Sequence, residues 1–280
     1  MNGRLILCGT PIGNLEDLSP RALRVLGEAD TVACEDTRRT RKLLAHGGVR
    51  ARRLVSYHEG NERKRARELV DDISRGAVIV LVSDAGMPGL SDPGYRLVQS
   101  CVAAGLPIEV VPGPSAAISA LALSGLPPGR FAFEGFLPRK AGERRRKIAE
   151  ISDDRRTLVF YESPHRVEES LVDLLDGLDD RPACLARELT KLHEEVRRGS
   201  LSELLSGVRA DPPRGEIVLV VGGAIHAHKN PVAADELAGR AQALMDQGMD
   251  RKAALAEVAR AAGVPRRAVF DALVRARGES

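Results

Sequence analysis

Apolar positions fall along this chain in short runs separated by polar stretches of helical period. Val78–Val82 is five apolar, mostly β-branched residues in a row, the pattern of a strand buried on both faces of a parallel sheet. Arg4–Cys8, Thr31–Cys34, Arg53–Tyr57 and Ile108–Val111 repeat it. Helical stretches lie between. Ser19 and Pro20 open one over Arg21–Glu28, Ser as the cap and Pro in the first turn. Arg41–His46 closes on Gly47 and Gly48, amphipathic Arg63–Arg75 closes on Gly76, and Tyr95–Ala104 follows the central strand. Strand and helix alternate, which predicts a largely parallel sheet.

Past Pro112-Gly113-Pro114, which reads as a hinge, a second set begins. Ser115–Ser124 is an Ala/Leu helix, Phe131–Phe136 a strand, Glu143–Ser152 a basic helix, Thr157–Tyr161 a strand and Val167–Leu175 a helix. Ala183–Arg187 and Glu216–Val221 complete a second sheet. The fold class expected is therefore α/β: two α/β lobes (1–112 and 113–225) with mostly parallel or mixed sheets and a cleft between them, plus a small C-terminal helical domain (231–280). In that tail Ala233–Gln247 is helical, and Arg251–Ala262, Gly263–Pro265, Arg266–Arg277 has a helix-turn-helix pattern. It suits either a nucleic-acid-binding helix pair or a bundle that braces the rest, since a glycine turn occurs in any helical hairpin.

Three strands run into Pro/Gly loops. Cys8 leads into Gly9–Asn14, Val82 into Ser83–Gly94, and Val111 into Pro112–Ser115. The middle loop holds three glycines, two prolines and two aspartates. Glycine admits close backbone approach and proline freezes a turn. Loops at the carboxyl ends of parallel strands are where open α/β sheets bind ligands.

Composition sharpens this only in places. Hydrophobic content of 43% is ample for cores, while 3% aromatics leaves them to Leu, Val and Ala. Net charge is +3, but eleven Lys/Arg face two acids between Arg38 and Arg67, and eight face four between Arg139 and Arg156. Such clusters suit a polyanion, or a solvated helix face. The four cysteines are scattered in apolar patterns, as in a reducing compartment. His226-x-His228 has no partners at ligand spacing, so no metal is expected. No apolar run approaches a membrane span, and a soluble cytoplasmic protein is the expectation.

Eight motifs occur in order: Thr10–Asn14, Glu35–Arg38, Ser83–Pro88, Ser91–Gly94, Pro112–Ser115, Phe133–Pro138, Tyr161–Arg166 and Arg187–Lys191. Together they resemble the tetrapyrrole-methylase superfamily over about residues 4 to 223. Within it the resemblance is to the branch that 2'-O-methylates a cytidine ribose in the decoding region of 16S ribosomal RNA. It implies S-adenosyl-L-methionine as cofactor, 16S rRNA or the small ribosomal subunit as partner, and a homodimer. The implied cofactor-binding residues are Pro11, Gly13, Asp84, Ala85, Gly86, Pro88, Ser91, Asp92, Pro112, Gly113, Ser115, Ala116, Tyr161 and Glu162. Gly86 and Gly113 would be required because a Cβ there would meet the ligand. Methyl transfer to a hydroxyl needs alignment and a proton acceptor. Glu35, Asp36, Glu188 and Lys191 are the catalytic candidates, with Glu162 also near the expected cleft. Each carboxylate has an arginine or lysine close by that would instead hold it as an ion pair. Arg38, Arg39, Arg41 and Lys42 on one wall, and Arg144, Arg145, Arg146 and Lys147 on the other, are the expected contacts to substrate RNA.

Overall fold

The computed structural model describes residues 3–224, 234–262 and 266–278. The chain forms two compact units, Met1–Ala224 and Ile225–Ser280. The first opens with a five-stranded sheet of β1 (Arg4–Cys8), β2 (Thr31–Cys34), β3 (Leu54–Ser56), β4 (Val78–Val82) and β5 (Ile108–Val111), ordered β3-β2-β4-β1-β5. Every pairing in it is parallel. The alternation along β4 sorts its side chains onto two faces. Val80 and Val82 pack with helices α1 (Pro20–Glu28) and α2 (Thr37–His46). Ile79 and Leu81 pack with α3 (Glu62–Ser74) and α4 (Tyr95–Ala103). A strand covered on both faces is apolar throughout, which is the pattern its sequence carries. Helix α2 starts earlier than the sequence pattern shows, because Asp36 caps it by accepting from the Arg38 N–H at 2.7 Å.

Helix α5 (Ala116–Ser124) leads to a second sheet of β6 (Phe131–Phe136), β7 (Thr157–Glu162), β8 (Pro182–Arg187), β9 (Glu195–Ser200) and β10 (Ile217–Val221), ordered β6-β7-β10-β8-β9. This sheet is mixed: β6 and β7 are parallel, and the other pairs antiparallel. Helices α6 (Ala141–Glu150), α7 (Val167–Leu178) and α8 (Leu201–Ala210) cover one face. Helix α5 covers the other, in a cluster that includes Ile12 and Leu189. Strand β9, sequence Glu-Val-Arg-Arg-Gly-Ser, carries no apolar alternation and is invisible to hydrophobic pattern; it is an edge strand whose Arg197 pairs with Glu195 and Asp211.

The second unit is three helices, α9 (Ala234–Asp246), α10 (Arg251–Ala262) and α11 (Arg266–Gly278), around Leu237, Ala241, Leu255, Val258, Val269 and Leu273. The segment 225–233, with His226 and His228, and the turn 263–265 lie outside the described residues. No helix among the described residues is long and apolar enough to cross a membrane.

One expected RNA contact is instead a core element. Arg144 is only 3% exposed. Its guanidinium meets Asp173 at 2.6 Å and Glu169 at 3.4 Å, tying α6 to α7. A helix packed on a sheet must turn one side inward, and in α6 that side carries Arg144 and Ile148. Removing one partner of a buried pair leaves the other charge unpaired, at a cost of about 3–5 kcal/mol. Asp173→Ala should therefore lower the thermal midpoint sharply, read by circular dichroism. An unchanged midpoint would show that Arg144 finds other partners.

Candidate active site

Because β4, β1 and β5 are neighbours, their three loops meet at one end of the sheet. Thr10 and Gly86 form an isolated two-way backbone bridge, with N–H to carbonyl distances of 2.9 and 3.1 Å. Thr10 Oγ1 also donates to the Ser83 carbonyl at 3.2 Å. Gly9 and Gly113 touch back to back: a Cβ on Gly113 would lie 2.7 Å from Gly9 Cα. Gly113 is thus required by the neighbouring loop. Gly86 sits at φ +78°, where a Cβ would find ordinary contacts at 3.5 Å, so its need is conformational. Both reasons differ from the ligand clash expected above.

These loops form one side of a cavity of about 520 Å³. Ala85, Gly86, Ser91 and Asp92 come from the β4 loop, and Ser115 and Ala116 from the start of α5. Tyr161 and Glu162 at the end of β7, with residues 215–218 leading into β10, close the opposite side. Pro11, Gly13, Asp84, Pro88, Pro112 and Gly113 belong to the same loops but do not line the cavity. Gly13 packs instead on Lys191, and the Asn14 N–H donates to Thr190 Oγ1 at 3.0 Å, which anchors the first loop to the second lobe. Ser91, Glu188 and Thr190 all hold positive φ without being glycine, local strain gathered beside one cavity. Hydrophobic pattern alone missed Phe131, Phe133 and Phe136, which also line it.

The carboxylates divide by environment. Asp36 caps α2 and pairs with Arg38 at 3.1 Å, which holds its carboxyl down at about 2. Glu188 is lowered by the hydrogen bond from Lys191 at 2.8 Å. Glu162 is buried and satisfied by Ser163 N–H, Ser170 Oγ and Arg166. Asp84 accepts from the Asp36 N–H at 3.0 Å and meets Arg39 at 3.4 Å. Glu216 pairs with Lys191. Glu35 is raised by burial and by the Asp84 charge. Asp92 is the cavity carboxylate for which no ion pair exists among the described residues. Burial, then the charges of Glu35 and Asp84, push its carboxyl up to about 6, against a hydrogen bond from Ser83. Among the described residues no group of three or more His, Cys, Asp or Glu converges as metal ligands would.

A second cavity, about 480 Å³, lies at the opposite end of the first sheet, near Arg4, Arg21, Asp30 and Val78. Its charges pair among themselves, Arg4 with Glu109, Arg24 with Glu28 and Arg52 with Asp30. The ligand end of a parallel sheet is the other one.

Residues 4–205 match the family described as Tetrapyrrole (Corrin/Porphyrin) Methylases. The chain belongs to that family. Relatives named Ribosomal RNA small subunit methyltransferase I match along nearly the whole length. That of Mycobacterium bovis is 46% identical over 283 residues, covering 100% of this chain and 97% of the relative. That of Halalkalibacterium halodurans is 44% identical over 272 residues, covering 96% and 94%. A solved structure of uroporphyrin-III C-methyl transferase from Thermus thermophilus, complexed with S-adenyl homocysteine, shares the fold. Its TM-score is 0.57 at 23% identity, over 79% of this chain and 97% of that one. This tetrapyrrole-methylase family member is thus an S-adenosyl-L-methionine-dependent methyltransferase.

The two glycines make different predictions. Gly113→Ala should force the β1 and β5 loops apart, lowering both the melting temperature and S-adenosyl homocysteine affinity by calorimetry. Gly86→Ala carries only the left-handed backbone penalty of about 1–2 kcal/mol. If Gly113→Ala is the milder of the two, the loop contact is not what assembles the site.

Proposed function

We propose that this methylase transfers a methyl group from S-adenosyl-L-methionine to the 2'-hydroxyl of a cytidine in the decoding region of 16S ribosomal RNA, acting on that RNA or on the small subunit. The names of its near-full-length relatives support the RNA substrate. The observation that carries the mechanism is Asp92 in the cavity. The cavity has the size of a small-molecule site, and one side of it is made by the β4 loop and the start of α5. When bound, the cofactor supplies an electrophilic methyl on a sulfonium. Ala85, Gly86, Ser115 and Ala116 would hold it by close backbone approach, with the support of Pro11, Gly13, Asp84, Pro88, Pro112 and Gly113 behind them. Asp92 would accept the proton of the 2'-hydroxyl at its carboxylate. Asp36 and Glu188 are too acidic for that role, and Lys191 is occupied by Glu188 and Glu216.

The basic walls support a polyanionic substrate. Arg38, Arg39, Arg41 and Lys42 on α2 are exposed, although Arg38 and Arg39 share their charge with Asp36 and Asp84. On α6, Arg145 and Arg146 are exposed while Lys147 pairs with Glu134 at 2.8 Å. Arg144 is withdrawn from this wall by its burial. The reading includes a homodimer and a cytoplasmic location, where ribosomal subunits are assembled.

The direct test is to map ribose methylation in small-subunit RNA from cells with and without the protein. A modified cytidine that persists without it contradicts the reading. Arg145→Ala with Arg146→Ala should flatten the salt dependence of RNA binding by about 0.7 per lost phosphate contact. Equal slopes for variant and wild type would make these two arginines a solvated face. A general base must be deprotonated, so kcat/KM should fall as pH drops through about 6, the Asp92 value. Asp92→Asn should remove that limb and lower kcat by about 10²–10⁴-fold. A limb that survives Asp92→Asn assigns the proton to another group.

A further inference from the structure

The chain has five Phe, three Tyr and no Trp, and four of these eight aromatics line the one cavity: Phe131, Phe133, Phe136 and Tyr161. Phe133 stands edge-on to Tyr161, ring centroids 4.9 Å apart at 70°. Phe136 leans on the same tyrosine at 5.6 Å and 59°. Phe131, Phe133 and Tyr161 are packed against the buried cluster beneath α5. Phe136 is not, and stays 55% exposed. Leu90 and Ile118, 57% and 50% exposed, line the same cavity, so its open edge is partly apolar.

The backbone is built to place this ring. A register shift between Phe133 and Gly135 pairs Phe133 with Val159 and Phe136 with Tyr161. Without that bulge, strand alternation would send Phe136 to the opposite face of the sheet. Gly135, at φ +65°, makes the bulge, and a Cβ there would lie 3.3 Å from Ser91 Oγ, so the turn abuts the first-lobe loop. The residues that follow are pinned. Arg166 donates to the Leu137 and Pro138 carbonyls at 2.7 and 3.1 Å, and Arg144 to that of Arg139 at 3.4 Å. Arg139 and Lys140, three and four residues past the ring, are exposed cations, Lys140 sharing its charge with Glu143 at 3.2 Å.

A rigid exposed ring beside exposed cations, at the mouth of a methyl-transfer cavity, fits one ligand chemistry: an unstacked nucleotide, base on the ring and phosphate toward the cations. A ribose hydroxyl reaches such a cavity only when its nucleotide leaves the neighbouring stack. We propose that Phe136 is the stacking platform for the nucleobase of the target nucleotide, and thereby a substrate-positioning residue. The proposal rests on the reading of the chain as an RNA ribose methyltransferase.

The test uses the full chain with small-subunit ribosomal RNA as probe, and compares Phe136→Ala, Phe136→Leu and Phe136→Tyr with wild type. Loss of base stacking costs about 1–3 kcal/mol, hence an RNA affinity about 5- to 150-fold weaker for Phe136→Ala. Phe136→Leu, apolar but lacking the π face, should lose a similar factor, and Phe136→Tyr should restore binding. Stacking releases no counterions, so the salt slope should stay that of wild type while the curve shifts in parallel. S-adenosyl homocysteine affinity should be unchanged in all three. A weakened cofactor affinity with RNA binding intact would assign the ring to the adenosyl group and overturn the proposal. So would wild-type RNA binding in Phe136→Ala. A wild-type protein that methylates no RNA overturns the underlying reading and the proposal with it, whereas active wild type with indifferent variants overturns the proposal alone.

Discussion

The site depends on backbone meeting backbone. Strands β4, β1 and β5 end side by side, and their loops are joined by the Thr10–Gly86 bridge and the Gly9–Gly113 contact. The Gly9–Gly113 contact leaves no room for a side chain between the two loops. Hydrogen-bonded loops with paired polar groups are stiff, because opening them would strand amide and carbonyl groups away from partners. That stiffness sets the cavity's first wall. Lys191 against Gly13 and Thr190 against Asn14 carry the same constraint to the second lobe.

Charge is sorted around this frame by burial. Arginines near the surface keep their acids strongly ionised, as at Asp36 and Glu195, each held down at about 2 by arginine hydrogen bonds. Toward the cavity the balance reverses. Glu35, Asp84 and Asp92 crowd together with Arg39 as the one paired cation among the described residues, and burial raises Glu35 and Asp92. Three acids beside one cavity create a negative field that favours a sulfonium and gives one carboxylate the basicity to accept a proton. On α2 and α6, by contrast, Arg41, Lys42, Arg145 and Arg146 are exposed cations with no ion pair among the described residues. Under the proposed function, the acids would face a cationic donor and the cations a polyanion.

Much of the frame was legible in the sequence because its signals are local. Val78–Val82 reads as a doubly covered strand, and Ser19-Pro20 as a helix start, from a few adjacent residues. The motif loops follow from their glycines and prolines. What was not legible depends on partners distant along the chain. Nothing in Arg144–Lys147 says that Arg144 turns inward; that needs Asp173, 29 residues away. The reason for Gly113 lies at Gly9, and the raised Asp92 carboxyl reflects its burial and then Glu35 and Asp84. The aromatic cluster leaves a compositional trace, three of five phenylalanines within six residues, but its convergence needs the β6 bulge. Strand β9 is recognisable only by what it pairs with.

The proposed function requires the loop junction and the second sheet together to form the methyl-transfer site. A crystal structure with S-adenosyl homocysteine and a short oligonucleotide of the substrate region tests it most directly. The adenosyl group should lie against Ala85–Gly86 and Ser115–Ala116, with the 2'-hydroxyl within hydrogen-bond reach of Asp92. Ligand density at the opposite end of the first sheet, or a ribose oriented away from Asp92, would contradict the account.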